Sequence, residues 1–202
     1  MKIVPQSVSL VWYTPNPQEI IESAGRTCYK SEDRIATDSS INFIRTVIKS
    51  GHESVLEHAS ASFRIITDRA VCNEIVRHRI ASYSQESSRY CNYSANRFGR
   101  EISIIEPPNL VGDAHLAWFD GVKAAEQAYF ALIESGQPPQ IARSVLPSCL
   151  KTELVMTTNF RSWRNFMKLR LPPTAHPQIR DVAKSILEKL KSFAPTCFEE
   201  FE

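Results

Sequence analysis

Apolar positions recur with a period of two in a few stretches of this chain and with a helical period in most others. ASASFRIITD (59–68) puts Ala61, Phe63 and Ile65 on one side of an extended chain, and KTELVMTTN (151–159) is a second β-rich run. KIVPQSVSLVWY (2–13) predicts a strand whose Pro5 favours an edge or irregular start, and EISIIEPP (101–108) a short strand ended by prolines. Helical spacing fills most of the rest. Asn16 caps a helix that begins at Pro17 and turns Ile20, Ile21, Ala24 and Cys28 to one face. Asp38 caps a second helix, Ser39 to Lys49, with Ile41, Ile44, Val47 and Ile48 inward and Gly51 as its stop. Asp68 caps a third, DRAVCNEIVRHR, which puts Arg77, His78 and Arg79 in its last turn and leaves the following Ser/Tyr-rich stretch as a loop. The longest helical pattern opens at Asp113, carries Leu116, Phe119, Val122, Ala125, Tyr129 and Leu132, and ends at Gly136. PPQIARSVLP is a short helix between prolines, SWRNFMKLR a further helix, and PQIRDVAKSILEKLKSF a final amphipathic one. No repeat, linker or shift of composition interrupts the series, so the expectation is a single α/β domain spanning residues 1–202.

Composition narrows the classes of function. Of 202 residues 43% are hydrophobic, enough for a sizeable core, and a net charge of +2 makes any nucleic-acid role depend on a local patch. No stretch approaches the roughly 20 apolar residues of a membrane span, and MKIVPQSVSLVWY lacks the regions of a secretory signal. A cytoplasmic setting is expected. Five widely spaced cysteines without a CxxC pair argue against both a zinc cluster and a disulfide framework.

The candidate chemistry is cationic. In RHRIASYSQESSRY (77–90) a basic triplet is followed by serines and a further arginine. Arg143 lies in a largely apolar turn and Arg170 follows Phe166, Met167 and Leu169. An arginine beside core-like positions is usually paired, and a nucleotide phosphate suits its bidentate geometry, although a lone arginine is most often a solvated cation. Ser87, Ser88 and nearby N–H groups could cradle phosphate oxygens. Asn159 and Asn165 share a segment with Arg161; Asn159 reads as a helix cap or as an amide for a planar heterocycle. HESVLEH (52–58) offers two histidines and two glutamates, but histidines six apart on a helix face different ways, so no metal site is expected. GxGxxG and GxxxxGK[ST] loops are both absent. These residues alone describe a small α/β protein that binds an anionic, nucleotide-like ligand.

RHR followed by seven residues and Ser87 resembles the signature of flavin-dependent thymidylate synthases. GHESVLEH, ESGQPPQIARSVLP, TTNFRSWRNFMKLR and AGRTCY accompany it in that family's order, so the resemblance runs from about residue 20 to about residue 193. It implies an α+β fold with a central mixed or antiparallel sheet flanked by helices. It also implies a homotetramer whose active sites form at subunit interfaces, with one FAD in each. The implied reaction converts dUMP to dTMP, with methylenetetrahydrofolate as carbon donor and NADPH as reductant. By the same resemblance Ser54, Arg77, His78, Arg79, Gln85, Asn159, Arg161 and Asn165 would contact FAD. Glu74, Arg77, Gln85, Glu86, Ser87, Ser88, Arg89, Arg143 and Arg170 would contact dUMP. Arg170 would favour ionisation of the pyrimidine and so be catalytic, and His52 would lie on the folate side.

The chain departs from that pattern where Glu74 replaces a glutamine, Gln85 a glutamate and Ser88 a glycine. The first two changes amount to an exchange of charge, and a positive φ at Ser88 would strain the backbone there by about 1 kcal/mol. Cys91, next to the motif, reads as a bystander rather than a nucleophile. The competing readings are a flavin enzyme acting on another pyrimidine nucleotide and, from a different class, a nucleic-acid-binding module that stacks bases on Tyr83, Tyr90 and Tyr93.

Overall fold

The computed structural model describes all 202 residues, Met1–Glu202. In chain order the elements are β1 (Lys2–Ile3), β2 (Ser7–Tyr13), α1 (Pro17–Thr27), α2 (Ser39–Lys49), β3 (Ser60–Asp68), α3 (Arg69–Ile75) and β4 (Ser82–Gln85). There follow β5 (Ser103–Ile104), α4 (Gly112–Glu134), α5 (Pro139–Ala142), β6 (Lys151–Asn159), α6 (Phe160–Arg170), α7 (Pro177–Phe193) and α8 (Pro195–Phe198). A 3₁₀ turn covers Glu53–His58. The fold is mixed α/β. Four strands lie in the order β2–β3–β6–β4, and β1 pairs in parallel with β5 through Lys2–Ser103 and Ile3–Ile104. The strand predicted over 2–13 is therefore two strands in two sheets. Pro5 falls in the break, where a residue without an N–H cannot continue a ladder. No helix is long and apolar enough to cross a membrane.

The chain divides into two compact units. The first comprises Met1–Ser7, Ile66–Val76 and Ser84–Leu154. Its core gathers Tyr93, Ile102, Ile104, Val122, Tyr129, Ala142 and Leu150. The Tyr129 hydroxyl accepts the Tyr93 N–H at 3.2 Å, so the ring adds a buried polar tie to its apolar area. Along α4 only Val122 and Tyr129 are buried, and the predicted inward residue Leu116 is 61% exposed.

The second unit comprises Val8–Ile65, Arg77–Tyr83 and Val155–Glu202. Ala61, Phe63 and Ile65 on β3 are fully buried, as their alternation predicts. Trp163 of α6 packs edge-on to Phe63 with centroids 5.2 Å apart, and its Nε1–H donates to the Ala61 carbonyl at 3.1 Å. Here α1 turns differently from expectation. Ile21, Glu22 and Gly25 are buried, whereas Ile20 and Cys28 are exposed. The cause is polar: Glu22 is compensated by Arg26 Nη2 at 2.7 Å and by the Ser39 hydroxyl at 2.7 Å, so a carboxylate can occupy the inner face. Gly25 is needed on that face, because a Cβ there would lie 2.3 Å from the Phe43 ring.

Candidate functional site

Asp68 caps α3 as predicted, accepting the Val71 N–H at 2.7 Å. The helix nevertheless ends at Ile75, so Arg77–Arg79 lie beyond it rather than in its last turn. Val71, Cys72 and Ile75 form its buried stripe. The Ser/Tyr-rich stretch, expected as a loop, begins instead with strand β4.

In the second unit His78 is only 7% exposed, with its ring 4.7 Å from that of Phe166. Its Nε2 accepts a hydrogen bond from Arg170 Nε at 2.9 Å. Its carbonyl accepts from the Tyr83 hydroxyl at 2.9 Å and from Arg79 Nη1 at 3.1 Å. Burial, and then the charge of Arg170, push its pKa down to about 4. The imidazole is thus neutral at pH 7, and accepting at Nε2 requires the proton on Nδ1. A neutral acceptor here fixes the plane of a cationic guanidinium.

A cleft of about 400 Å³ in the same unit is lined by Arg79, Asn159, Arg161 and Asn165, four of the residues expected at a flavin. Asn159 is also the cap of α6, accepting the Ser162 N–H at 2.9 Å, so both readings of it apply to one residue. Glu53, Glu57 and Lys168 complete the charged lining. Arg161 pairs with Glu57 at 2.6 Å, but both side chains are about half exposed, so the pair is weak and an incoming anion can replace Glu57. Arg164, by contrast, is 1% exposed and reaches Glu53 at 3.3 Å, Glu200 at 2.8 Å and the Cys197 carbonyl at 2.5 Å. Sequence reasoning missed Glu53, Glu57, Arg164 and Lys168. Their signal was the cationic spacing 161, 164 and 168 on a helix, matched by carboxylates at 53 and 57.

Other expected residues fall elsewhere. Ser54 is exposed on the Glu53–His58 turn, and Arg77 is exposed just past α3. His52 lines a different cleft, of about 570 Å³, together with Arg26, Tyr29, Asn42, Phe43 and others.

The first unit holds the serine-rich cluster. Arg143 Nη1 donates to the hydroxyl of Ser88 at 3.2 Å, and Ser88 is 6% exposed. Ser87 turns the chain: its carbonyl accepts the N–H groups of Tyr90 and Cys91, and its hydroxyl faces the Arg89 N–H at 3.4 Å. Ser88 is not among the residues with positive φ, so replacing the family's glycine strains nothing. Gln85 donates from Nε2 to Thr152 Oγ1 at 3.2 Å. The Glu86 carboxylate accepts from Tyr93 Oη at 3.1 Å and from Lys151 Nζ at 2.8 Å, an engagement within the chain that its expected role at a nucleotide did not foresee. Glu74 lies on α3, half-buried. Burial and then Glu86 raise the pKa of Cys91, which keeps it a thiol.

Comparison with known proteins agrees with this chemistry. Residues 9–196 match the family model described as thymidylate synthase complementing protein. A flavin-dependent thymidylate synthase of Geobacter sulfurreducens is 34% identical over 96% of this chain and 85% of its own. One from a Mycobacterium species is 37% identical over 91% of this chain and 79% of its own. Among solved structures, the ThyX of Helicobacter pylori with FAD and dUMP superposes with a TM-score of 0.79 at 27% identity, covering 96% of this chain and 98% of the other. The UMP/dUMP methylase PolB of Streptomyces cacaoi, bound with 5-Br dUMP, superposes with a TM-score of 0.84 at 25% identity, covering 98% and 96%.

Proposed function

Because the chain belongs to the flavin-dependent thymidylate synthase family, we propose that it methylates dUMP to dTMP reductively, with FAD, methylenetetrahydrofolate as carbon donor and NADPH as reductant. The observation that carries this reading is the Arg170–His78 pair: a guanidinium held in plane by a buried neutral imidazole, one residue from the cleft lined by Arg79 and Arg161. That cleft fits part of an FAD by its donors. Arg79, Arg161 and Lys168 supply cations, Asn159 and Asn165 supply amides, and its volume is that of a ligand pocket. FAD, when bound, supplies the redox chemistry.

The chain's own residues do the rest. Arg170 stabilises negative charge developing on the pyrimidine, which a preorganised cation does without reorganising during the reaction. His78 holds that cation and, being neutral, adds no competing charge. Arg143, with Ser87, Ser88 and Arg89, takes the nucleotide phosphate, and Arg77 adds an exposed cation. We further propose a homotetramer whose sites are completed by different copies of the chain. The five cysteines, all free, suit a reducing cytoplasm.

The test is tritium release from C5-labelled dUMP with NADPH and methylenetetrahydrofolate, alongside the visible spectrum of the purified protein. A yellow protein that releases tritium only with both additions supports the reading. A colourless protein indifferent to FAD overturns it and favours a nucleic-acid-binding module. The likeness to a UMP/dUMP methylase supports a second nucleotide, so UMP and dCMP belong in the same assay. Faster turnover of either would move the reading to another pyrimidine nucleotide.

A further inference from the structure

By resemblance Glu86 belongs at the nucleotide, yet each polar group it carries is engaged within the first unit. Its N–H donates to the Glu153 carbonyl at 2.8 Å, and its own carbonyl accepts from Arg69 Nη2 at 3.3 Å. Its carboxylate accepts from Tyr93 Oη at 3.1 Å and from Lys151 Nζ at 2.8 Å, and the side chain is 15% exposed. Tyr93 is more deeply placed, at 5% exposure. Its N–H donates to the Tyr129 hydroxyl at 3.2 Å, and its ring packs against those of Phe98 and Tyr129, with centroids 5.5 and 5.8 Å away. Tyr93 is thus fixed to the core. Burial, and then the Glu86 charge, raise its pKa, so the hydroxyl keeps its proton and donates.

The Glu86–Tyr93 bond joins residues seven apart and so closes the base of a turn. Between them lie Ser87, Ser88 and Arg89, which take the nucleotide phosphate in the reading above. Within the turn the Ser87 carbonyl accepts the N–H groups of Tyr90 and Cys91, at 3.1 and 2.9 Å, and Arg143 Nη1 reaches the Ser88 hydroxyl at 3.2 Å. Those bonds shape the turn, whereas the one between Glu86 and Tyr93 links both of its ends to the core. A carboxylate so near an anion grip works against it by like-charge repulsion, which Lys151 offsets. We propose that Glu86 and Tyr93 are positioning residues: their hydrogen bond clasps the turn so that Ser87, Ser88 and Arg89 stand ready for the phosphate before a nucleotide arrives. This rests on the dUMP reading above. Glu86 acts through its neighbours and does not touch the nucleotide, and the fixed turn lowers the ordering cost of binding.

Tyr93→Phe removes one oxygen and keeps the ring, Glu86→Ala removes the acceptor, and the double variant completes a cycle. Calorimetry on the FAD-loaded proteins measures affinity for dUMP and for 2′-deoxyuridine, which lacks the phosphate. The parent is expected to prefer dUMP. Each single variant should lower that preference by about 10-fold, the scale of one hydrogen bond to a charged group. The loss should lie in dUMP binding, with deoxyuridine unchanged. The double variant should lose no more than Glu86→Ala alone, because the two residues act through one bond. A role in stability only would leave the preference intact. A full preference in Tyr93→Phe, or losses that add in the double variant, overturns the proposal. A parent that binds dUMP no better than deoxyuridine fails earlier, at the phosphate grip itself, and overturns both readings. A parent that prefers dUMP beside a Tyr93→Phe variant that does so equally refutes the clasp alone.

Discussion

Replacing His78 by phenylalanine keeps a flat ring against Phe166 and removes the acceptor for Arg170 Nε. At neutral pH the variant leaves a charged donor without this partner, a loss of about 1–3 kcal/mol. The wild-type pKa is lowered from 6.5 to about 4, so between these values the unfolded chain binds the proton more tightly than the folded one. Stability held above pH 6.5 is therefore lost as pH falls toward 4. Linkage puts that loss at about 2 kcal/mol between pH 7 and pH 5, and about 3 kcal/mol in full. The variant has no imidazole at this position and lacks that component. Urea unfolding of both proteins at pH 7, 6 and 5, at one protein concentration, isolates it, since every other titrating group is shared. The stability gap should narrow by about 2 kcal/mol from pH 7 to pH 5. A gap that stays constant would refute the assignment of a buried, neutral, accepting imidazole.

Three further outcomes are expected. Arg164→Leu should destabilise the fold by about 3 kcal/mol in the same urea assay, because it strips the Cys197 carbonyl and two carboxylates of a buried cation. Ser88→Gly should lower stability by about 1 kcal/mol, since it loses the bond from Arg143 and gains backbone freedom in the unfolded chain; a gain in stability would mean that the serine is strained after all. Cys91→Ser should retain turnover within about threefold in the tritium-release assay, because a thiol with a raised pKa offers little thiolate for attack.

What could be read before folding was local. The alternation of β3, the β-rich run of β6 and the Asn159 cap stand where expected, and so does the Ser39–Lys49 helix, although Asp38 makes no side-chain cap at its start. The end of α3 was harder, because Asp68 announces its start while no glycine or proline marks its stop at Ile75. The inner face of α1 was misjudged for a related reason. A glutamate and a glycine look like outward and neutral positions until Arg26, Ser39 and Phe43 are brought beside them. At the candidate site, family likeness supplied Arg79, Asn159, Arg161 and Asn165, which share one cleft. The acids opposite them were visible in HESVLEH but were weighed there only as metal ligands. The cleft between α1 and α2 that His52 lines had no sequence signature, since its walls come from two helices whose pairing is a tertiary event.

Helix α6 sets a constraint of another kind. Asn159 and Arg161 stand at its beginning, and Arg170, at its end, meets His78. Eleven residues of helix act as a ruler between the cleft and that cation. Single substitutions on its outer face change little of this spacing. Inserting or deleting one residue within it would rotate Arg170 by about 100° and displace it by about 1.5 Å along the axis. Drift in composition is thus open to the outer face of α6, while its length is not, and insertions that this protein tolerates should fall in its connecting loops.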